Sequence, residues 1–291
     1  MADGKAVATK TQGAVQAFDD DFLNEAAEYG DAGRTKGIED NVVPFLSLLQ
    51  DMSPEVKKRD PEYVEGAEPG YILNKATRKL YAPDTGLVVQ PWATDRCINQ
   101  WVPREAGGGF QGRHPIQGTV EDSMRALGAE QRPDPKDPTK FDWVLPNGHQ
   151  LIDTRYVYVN ELEVEFEKDA DGKILGVSKV LSASPAVISF SSTGHTVAKK
   201  WSTLRNNSVL PNGQEHPIWF KMYLMSSKPA KNNKGDFFVL DFAELKDGGW
   251  VRDKLVRDKA KNMFESFAKG NLRPDEPSAS EDSKENTDVP I

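Results

Sequence analysis

The 291-residue chain has a formal net charge of −8, four histidines, one cysteine and 37% hydrophobic residues. Its lone Cys97 excludes an internal disulfide, and the few histidines do not complete a closed Cys/His zinc site unaided. No stretch approaches the ~18 apolar residues of a membrane span, and the N-terminus lacks the apolar core of a secretory signal. We therefore expect a protein without cofactor or metal in a reducing cytoplasm.

The acidity is concentrated at the two ends of the chain. Residues 1–40 carry four basic and nine acidic side chains, and residues 274–291 carry one basic and six acidic, so that residues 41–273 have a net charge of +2. Within residues 190–235, seven Lys and Arg stand against one Glu. This segment could face phosphate, although a solvated basic face explains the same charge.

Residues 1–40 have few apolar anchors and are expected to be a flexible acidic segment. The run from Val42 predicts a helical element, because Phe45, Leu48 and Leu49 follow helical spacing, and Ser53-Pro54-Glu55 reads as a turn or the start of a second helical turn. It would dock on the core.

Short β-type runs follow from Gly70 to Phe242, separated by Pro, Gly and Asn, with a hairpin predicted at Asp171-Gly172. The proline-rich and glycine-rich residues 105–148 are predicted to be a surface excursion. Apolar residues at helical spacing predict a C-terminal helix over 250–269. We expect a β-rich (α+β) core at 41–271, an elaborated OB-like antiparallel barrel, followed by a disordered acidic tail at 272–291.

The common catalytic motifs are absent from the sequence: there is no phosphate loop, no nucleophile elbow, no HExxH and no CxxC pair. The glycine-rich Gly107–Phe110 neither follows a strand nor leads into a helix, which disfavours a nucleotide cradle. The acidic residues form no recognisable spaced set for Mg²⁺. These observations favour a protein without a catalytic step.

Aromatic residues alternate with basic ones along the β-type segments, including Trp219-Phe220-Lys221. Flat rings stack on bases of any sequence while neighbouring cations hold the phosphates, although most rings in a β domain belong to its core. Lys199-Lys200-Trp201 is favoured, because its segment is too polar to be buried throughout. The residues predicted to bind single-stranded DNA are Trp92, Arg96, Trp101, Arg104, Arg113, Tyr156, Lys199, Lys200, Trp201, Arg205, Lys221, Tyr223, Lys231 and Lys234.

The last residues, ENTDVPI, place acids before a proline and a terminal apolar side chain. Asp288, Val289, Pro290 and Ile291 are predicted to be captured, with the terminal carboxylate, in a basic-rimmed pocket on another protein. A solubilising tail without a partner is the alternative.

Several blocks, among them WVPREAGGGFQGRHP, VISFSSTGHTVAKKWSTL and IWFKMYLMSS, resemble a widespread group of phage proteins, some of which are described as single-stranded DNA-binding proteins. The resemblance spans roughly residues 42–268. The tail tip is similar to those of bacterial single-stranded DNA-binding proteins, but ends in Ile rather than an aromatic residue.

The resemblance implies a sequence-independent single-stranded DNA-binding protein of phage replication or recombination, in the cytoplasm of the infected bacterial host. It would coat single strands, recruit replication and recombination proteins by its acidic tail and make no contact with membrane; oligomerisation is left open. The alternatives are a metal-dependent DNA-processing enzyme and a phage structural or host-interaction protein that does not bind DNA.

Overall fold

The computed structural model describes residues 42–103, 106–134, 137–210, 212–232 and 235–275. The strands of this part are β1 (Val42–Val43), β2 (Leu46–Leu48), β3 (Ile72–Asn74), β4 (Leu80–Tyr81), β5 (Leu87–Trp101), β6 (Phe110–Pro115), β7 (Glu130–Asp134), β8 (Asp137–Val144), β9 (Gln150–Lys168), β10 (Ile174–Phe190), β11 (Tyr223–Asn232), β12 (Gly235–Glu244) and β13 (Arg273–Pro274). The helices are α1 (Val120–Ala126), α2 (Gly194–Asn206), α3 (Lys254–Ala268) and two 3-10 turns, Pro54–Val56 and Ile218–Phe220.

Two long strands, β5 and β9, form the centre of an antiparallel sheet of eight strands. Both are rich in β-branched and aromatic residues, which pack well on a pleated surface. On its outer side β5 pairs first with β11 and then, further along, with β6. The outer side of β9 pairs similarly with β8 and then with β10. The sheet therefore forks at both of its central strands.

Both faces of the main sheet are covered. Successive side chains of a strand point to opposite faces, so Val157 belongs to one core and Tyr158 to the other. The helix α2 covers the first face, where Ala198 and Trp201 are buried. The helix α3 covers the second face through the buried Ala260.

The prediction of a β-rich core is confirmed, and so are the strands around Asp171-Gly172 and the C-terminal helix. The predicted closed barrel is not found. Within the described ranges no pairing joins the end strands β12 and β7, so the sheet is open.

The helical element predicted from Val42 is wrong. Residues 42–48 instead form β1 and β2, which pair with β13 and β3. Pro44 between them cannot donate a backbone hydrogen bond, and the pairing with distant strands outweighs the helical spacing. The short turn at Pro54–Val56 does form.

The predicted surface excursion at 105–148 is largely a folded lobe of β6, α1, β7 and β8. Its apolar residues were few but sufficient, because Met124 and Ala129 are buried against Ile98 and Leu151 of the central strands. The polar segment around Lys199-Lys200 is also a helix, α2.

Candidate nucleic-acid interface

Four of the predicted stacking rings lie in the core. Trp92, Tyr156, Trp201 and Tyr223 are at most 2% exposed. The indole of Trp201 stacks on Phe242, with ring centroids 3.9 Å apart and planes 8° from parallel. The expectation that this segment would leave its ring accessible is therefore wrong. The reason is amphipathicity: α2 turns one apolar face to the sheet while its lysines point outward.

Three of the predicted cations already contact other side chains of the protein. The guanidinium of Arg113 lies 4.0 Å from the ring centre of Tyr156, and that of Arg205 lies 4.9 Å from Trp201. Burial lowers the pKa of Arg205. The ammonium of Lys221 lies 2.6 Å from a carboxylate oxygen of Glu244 and is buried. Arg205 and Lys221 are therefore buried, whereas Arg113 is partly exposed with its guanidinium over the ring of Tyr156.

Part of the positive charge of residues 190–235 is paired with acids of the next strand. Asp241 of β12 lies 2.9 Å from the ammonium of Lys228 and 3.6 Å from that of Lys200, and Asp236 lies 3.4 Å from Lys231. These carboxylates follow the basic segment in sequence, and the β11–β12 hairpin folds them back onto it. A count over consecutive residues could not show this pairing.

The remaining predicted residues are scattered. Arg96 is exposed but forms two hydrogen bonds with Asp153, at 2.6 and 2.9 Å. Trp101 is half-buried, with an edge-to-face contact between its ring and that of Phe110. Lys199 is exposed. Arg104, Lys234 and the tail residues Asp288, Val289, Pro290 and Ile291 lie outside the described residues.

A groove of about 320 Å³ runs between the turn at Ile218–Phe220 and the first turns of α3. Its walls are two aromatic rings, a proline, three cations and one carboxylate: Trp219, Phe220, Pro217, Lys254, Arg257, Lys261 and Asp258. We call this the α3 groove. It combines the side chains that hold single strands, rings for bases and cations for phosphates.

Local chemistry fixes both walls. The helix α3 begins at a capping Asp253, whose carboxylate accepts the backbone N–H of Leu255 at 2.8 Å. The opposite turn begins at Pro217 and is tied to the loop before α3, because Phe220 accepts the N–H of Val251 at 2.9 Å. The groove therefore lies between two anchored elements.

The rings of the groove are half-buried and oriented. The indole of Trp219 lies 5.2 Å from the ring of Phe264 on α3, tilted by 35°. Phe264 is 37% exposed, which leaves part of this aromatic pair accessible. The guanidinium of Arg257 lies 5.4 Å from the ring of Phe220 and donates to the carbonyls of Val251 and Arg252, at 2.6 and 2.7 Å.

Two cations of α3, Lys254 and Lys261, form only long and exposed ion pairs. Residues 251–269 carry six basic and three acidic side chains. Lys254 pairs with Asp258 at 3.8 Å and Lys261 with Glu265 at 3.7 Å, one helical turn away, and all four side chains are about half exposed or more. Such exposed pairs contribute about 0.3–0.5 kcal/mol, so a phosphate can replace the carboxylate at little cost.

Sequence reasoning missed the cations of this site, because the C-terminal helix was assigned only to packing. The signal was present: Lys254, Arg257 and Lys261 recur at three- and four-residue spacing beside the apolar stripe of Val256 and Ala260. Trp219 and Phe220 belong to the pattern of aromatic residues beside basic ones, but they are not among the residues predicted to bind single-stranded DNA.

Neither a metal cluster nor a membrane-spanning helix is found in the part of the chain that is described. No group of three or more His, Cys, Asp or Glu there could hold a metal ion. None of the helices in these ranges has the length and apolar character to cross a membrane.

Comparison with known proteins identifies a family. Searches of curated proteins and of solved structures found no match. The family model described as "Pam3 phage gp34-like protein" matches residues 10–273, which is most of the chain. The expected origin in a bacteriophage family is thereby confirmed, while binding of single-stranded DNA stays a prediction. The chain belongs to the Pam3 phage gp34-like protein family.

Proposed function

We propose that this protein binds single-stranded DNA without sequence preference, and that the α3 groove holds the strand. The observation that carries the proposal is the partly exposed indole of Trp219, which lines the α3 groove beside Lys254 and Lys261 and contacts the 37% exposed Phe264. A base stacks on a ring whatever its identity, which contributes about 1–3 kcal/mol per base. Lys254, Arg257 and Lys261 would neutralise the phosphates on either side.

The overall charge of −8 is compatible with this activity, because it arises at the ends of the chain whereas α3 and its flanks are basic. Association with a polyanion depends mainly on the local field at the site, because interactions between exposed charges are screened over about 8 Å at physiological ionic strength.

The test is a titration of fluorescently labelled oligo(dT), with and without Mg²⁺. We expect salt-sensitive binding to an intact strand, and a loss of about 5- to 150-fold in affinity for Trp219→Ala, the equivalent of one stacked base. Trp143→Ala is the matched control: this half-buried indole also lies beside an arginine, with Arg125 at 5.4 Å, but it belongs to the α1 lobe.

Each alternative has its own outcome in this titration. Loss of the strand only in the presence of Mg²⁺ would favour a DNA-processing enzyme, and the absence of binding at low salt would favour a structural or host-interaction protein. Equal affinity of the wild type and Trp219→Ala would move the site away from the α3 groove.

A further inference from the structure

Two buried amides lie beneath the α3 groove. Gln90 of β5 and Asn160 of β9 are opposite each other in the sheet, and both are 0% exposed. The amide of Asn160 donates to Gln90 Oε1 at 2.9 Å, and Gln90 Nε2 donates to the carbonyl of Trp219 at 2.7 Å. A chain of two hydrogen bonds, from Asn160 to Gln90 and from Gln90 to the Trp219 carbonyl, therefore connects the centre of the sheet with the α3 groove.

The position of this chain follows from the fork in the sheet. On its outer side β5 pairs with β11 up to Val89 and with β6 from Cys97. Gln90 is the first residue beyond the β11 pairing, where the turn at Ile218–Phe220 lies against β5. Its side chain thus bonds the turn to the sheet where β11 has separated from β5.

Buried amides in an apolar sheet are costly unless their polar atoms are bonded. Val88, Val89 and Val159 around them are buried aliphatic residues that pack without hydrogen bonds. An aliphatic pair could fill the same space, but it could not specify where the Trp219 backbone lies. Gln90 is bonded at both of its amide atoms, which favours one orientation over its alternatives, whereas Asn160 Oδ1 is buried without a hydrogen-bond partner among the described residues.

We propose that Gln90 and Asn160 are positioning residues of the α3 groove. They hold the Trp219 carbonyl, and with it the angle at which the indole meets an incoming base. The inference rests on the proposed function, because the base is the ligand whose stacking they would orient.

The test compares oligo(dT) with a strand of equal length whose central bases are replaced by abasic sites. Phosphate contacts are common to both strands, so the ratio of the two affinities reports stacking alone. We expect this ratio to fall to near one in Trp219→Ala and to fall by about threefold or more in Gln90→Met, a change equivalent to about half of one stacked base. The dependence of affinity on salt should be unchanged.

Gln50→Met provides the matched control. Gln50 is another buried glutamine that holds the backbone of an aromatic residue, accepting the N–H of Phe238 at 2.9 Å and donating to its carbonyl at 3.0 Å. It is expected to lower stability as Gln90→Met does while leaving the ratio at the wild-type value. A loss of the ratio in both variants would mean a general effect of destabilisation and would overturn the inference.

The two proposals fail separately. If the ratio of the two affinities in Trp219→Ala equals that of the wild type, the strand does not stack in the α3 groove and the proposed function is contradicted. A reduced ratio in Trp219→Ala with a wild-type ratio in folded Gln90→Met would contradict the positioning role only. Should Gln90→Met not fold, Asn160→Leu removes the hydrogen bond that orients the Gln90 amide, so a reduced ratio is expected there as well and a wild-type ratio would contradict the inference. In the background of Trp219→Ala, neither variant should reduce the ratio further.

Discussion

The helices α2 and α3 look alike in the sequence, yet they serve the molecule differently. Each is amphipathic, carries several lysines or arginines and covers one face of the same sheet. The aromatic ring of α2, Trp201, is buried, and Lys200 of this helix faces Asp241 of β12. On α3 the ring of Phe264 remains accessible, and Lys254 and Lys261 have only partners one turn away on the same helix. The difference lies in the partners: Lys200 has a carboxylate on a neighbouring strand, whereas Lys254 and Lys261 pair within α3.

The largest expected effect concerns the ring of α2. Trp201→Ala should lower the free energy of unfolding by about 3–5 kcal/mol, because it empties a fully buried site stacked on Phe242. Thermal and urea unfolding measure this loss. The folded fraction should bind oligo(dT) as the wild type does, and a stable Trp201→Ala variant with weakened binding would reverse the roles of the two helices.

The charges of α3 should set the salt dependence of binding. Replacing Lys254 and Lys261 together by Gln should flatten the slope of log affinity against log salt by about 0.7 for each phosphate that is no longer neutralised. The same change at Lys199 and Lys200 of α2 is the control, with an equal change in charge, and should leave the slope nearly unchanged. A larger effect from α2 would show that the strand follows that face instead.

The acidic tail offers a third comparison of the two helices. Residues 276–291 carry five acids and one lysine, and they follow β13, which pairs with β1. Deleting them while keeping Pro274 and Asp275, whose N–H bonds to Val43 at 2.9 Å, should raise affinity at low salt. A tethered acidic segment competes with phosphate for basic side chains, and salt screens that competition.

The gain on truncation should disappear in the Lys254 and Lys261 double variant but persist in the Lys199 and Lys200 variant. An undiminished gain without the α3 lysines would place the competition elsewhere. Recovery of replication proteins from an infected-cell extract, with full-length and truncated protein and with Ile291 removed alone, tests the recruiting role of the tail.

The smallest expected effect lies at the start of α2. His195 Nε2 is 3.0 Å from the carbonyl oxygen of Asp153, and burial lowers the pKa of His195 below its ordinary 6.5. The unfolded chain then binds this proton more readily than the folded one, so stability falls as the pH drops below about 6.5. Unfolding at pH 7 and pH 5 should show a smaller acid-induced loss in His195→Gln, and an equal loss would exclude His195 as the cause.

The sequence by itself determined the β-rich character, the β9–β10 hairpin and the C-terminal helix, because each depends on alternation, turn residues or helical spacing within one segment. It also determined the separation of charge between the ends and the core. The sequence pattern of aromatic residues beside basic ones included Trp219 and Phe220. It could not show that these rings are more accessible than that of Trp201, because the residues that surround each ring lie far away in the sequence.

Only the tertiary structure decided which rings and cations are accessible. Trp201 is buried because β12 provides Phe242, and Lys221 is neutralised because β12 provides Glu244, more than twenty residues later. The α3 groove needs a turn near residue 219 and a helix near residue 257 to meet on one sheet face. The burial of Trp201 and the pairing of Lys221 depend on contacts between distant segments, and no local window of the sequence contains both partners of either contact.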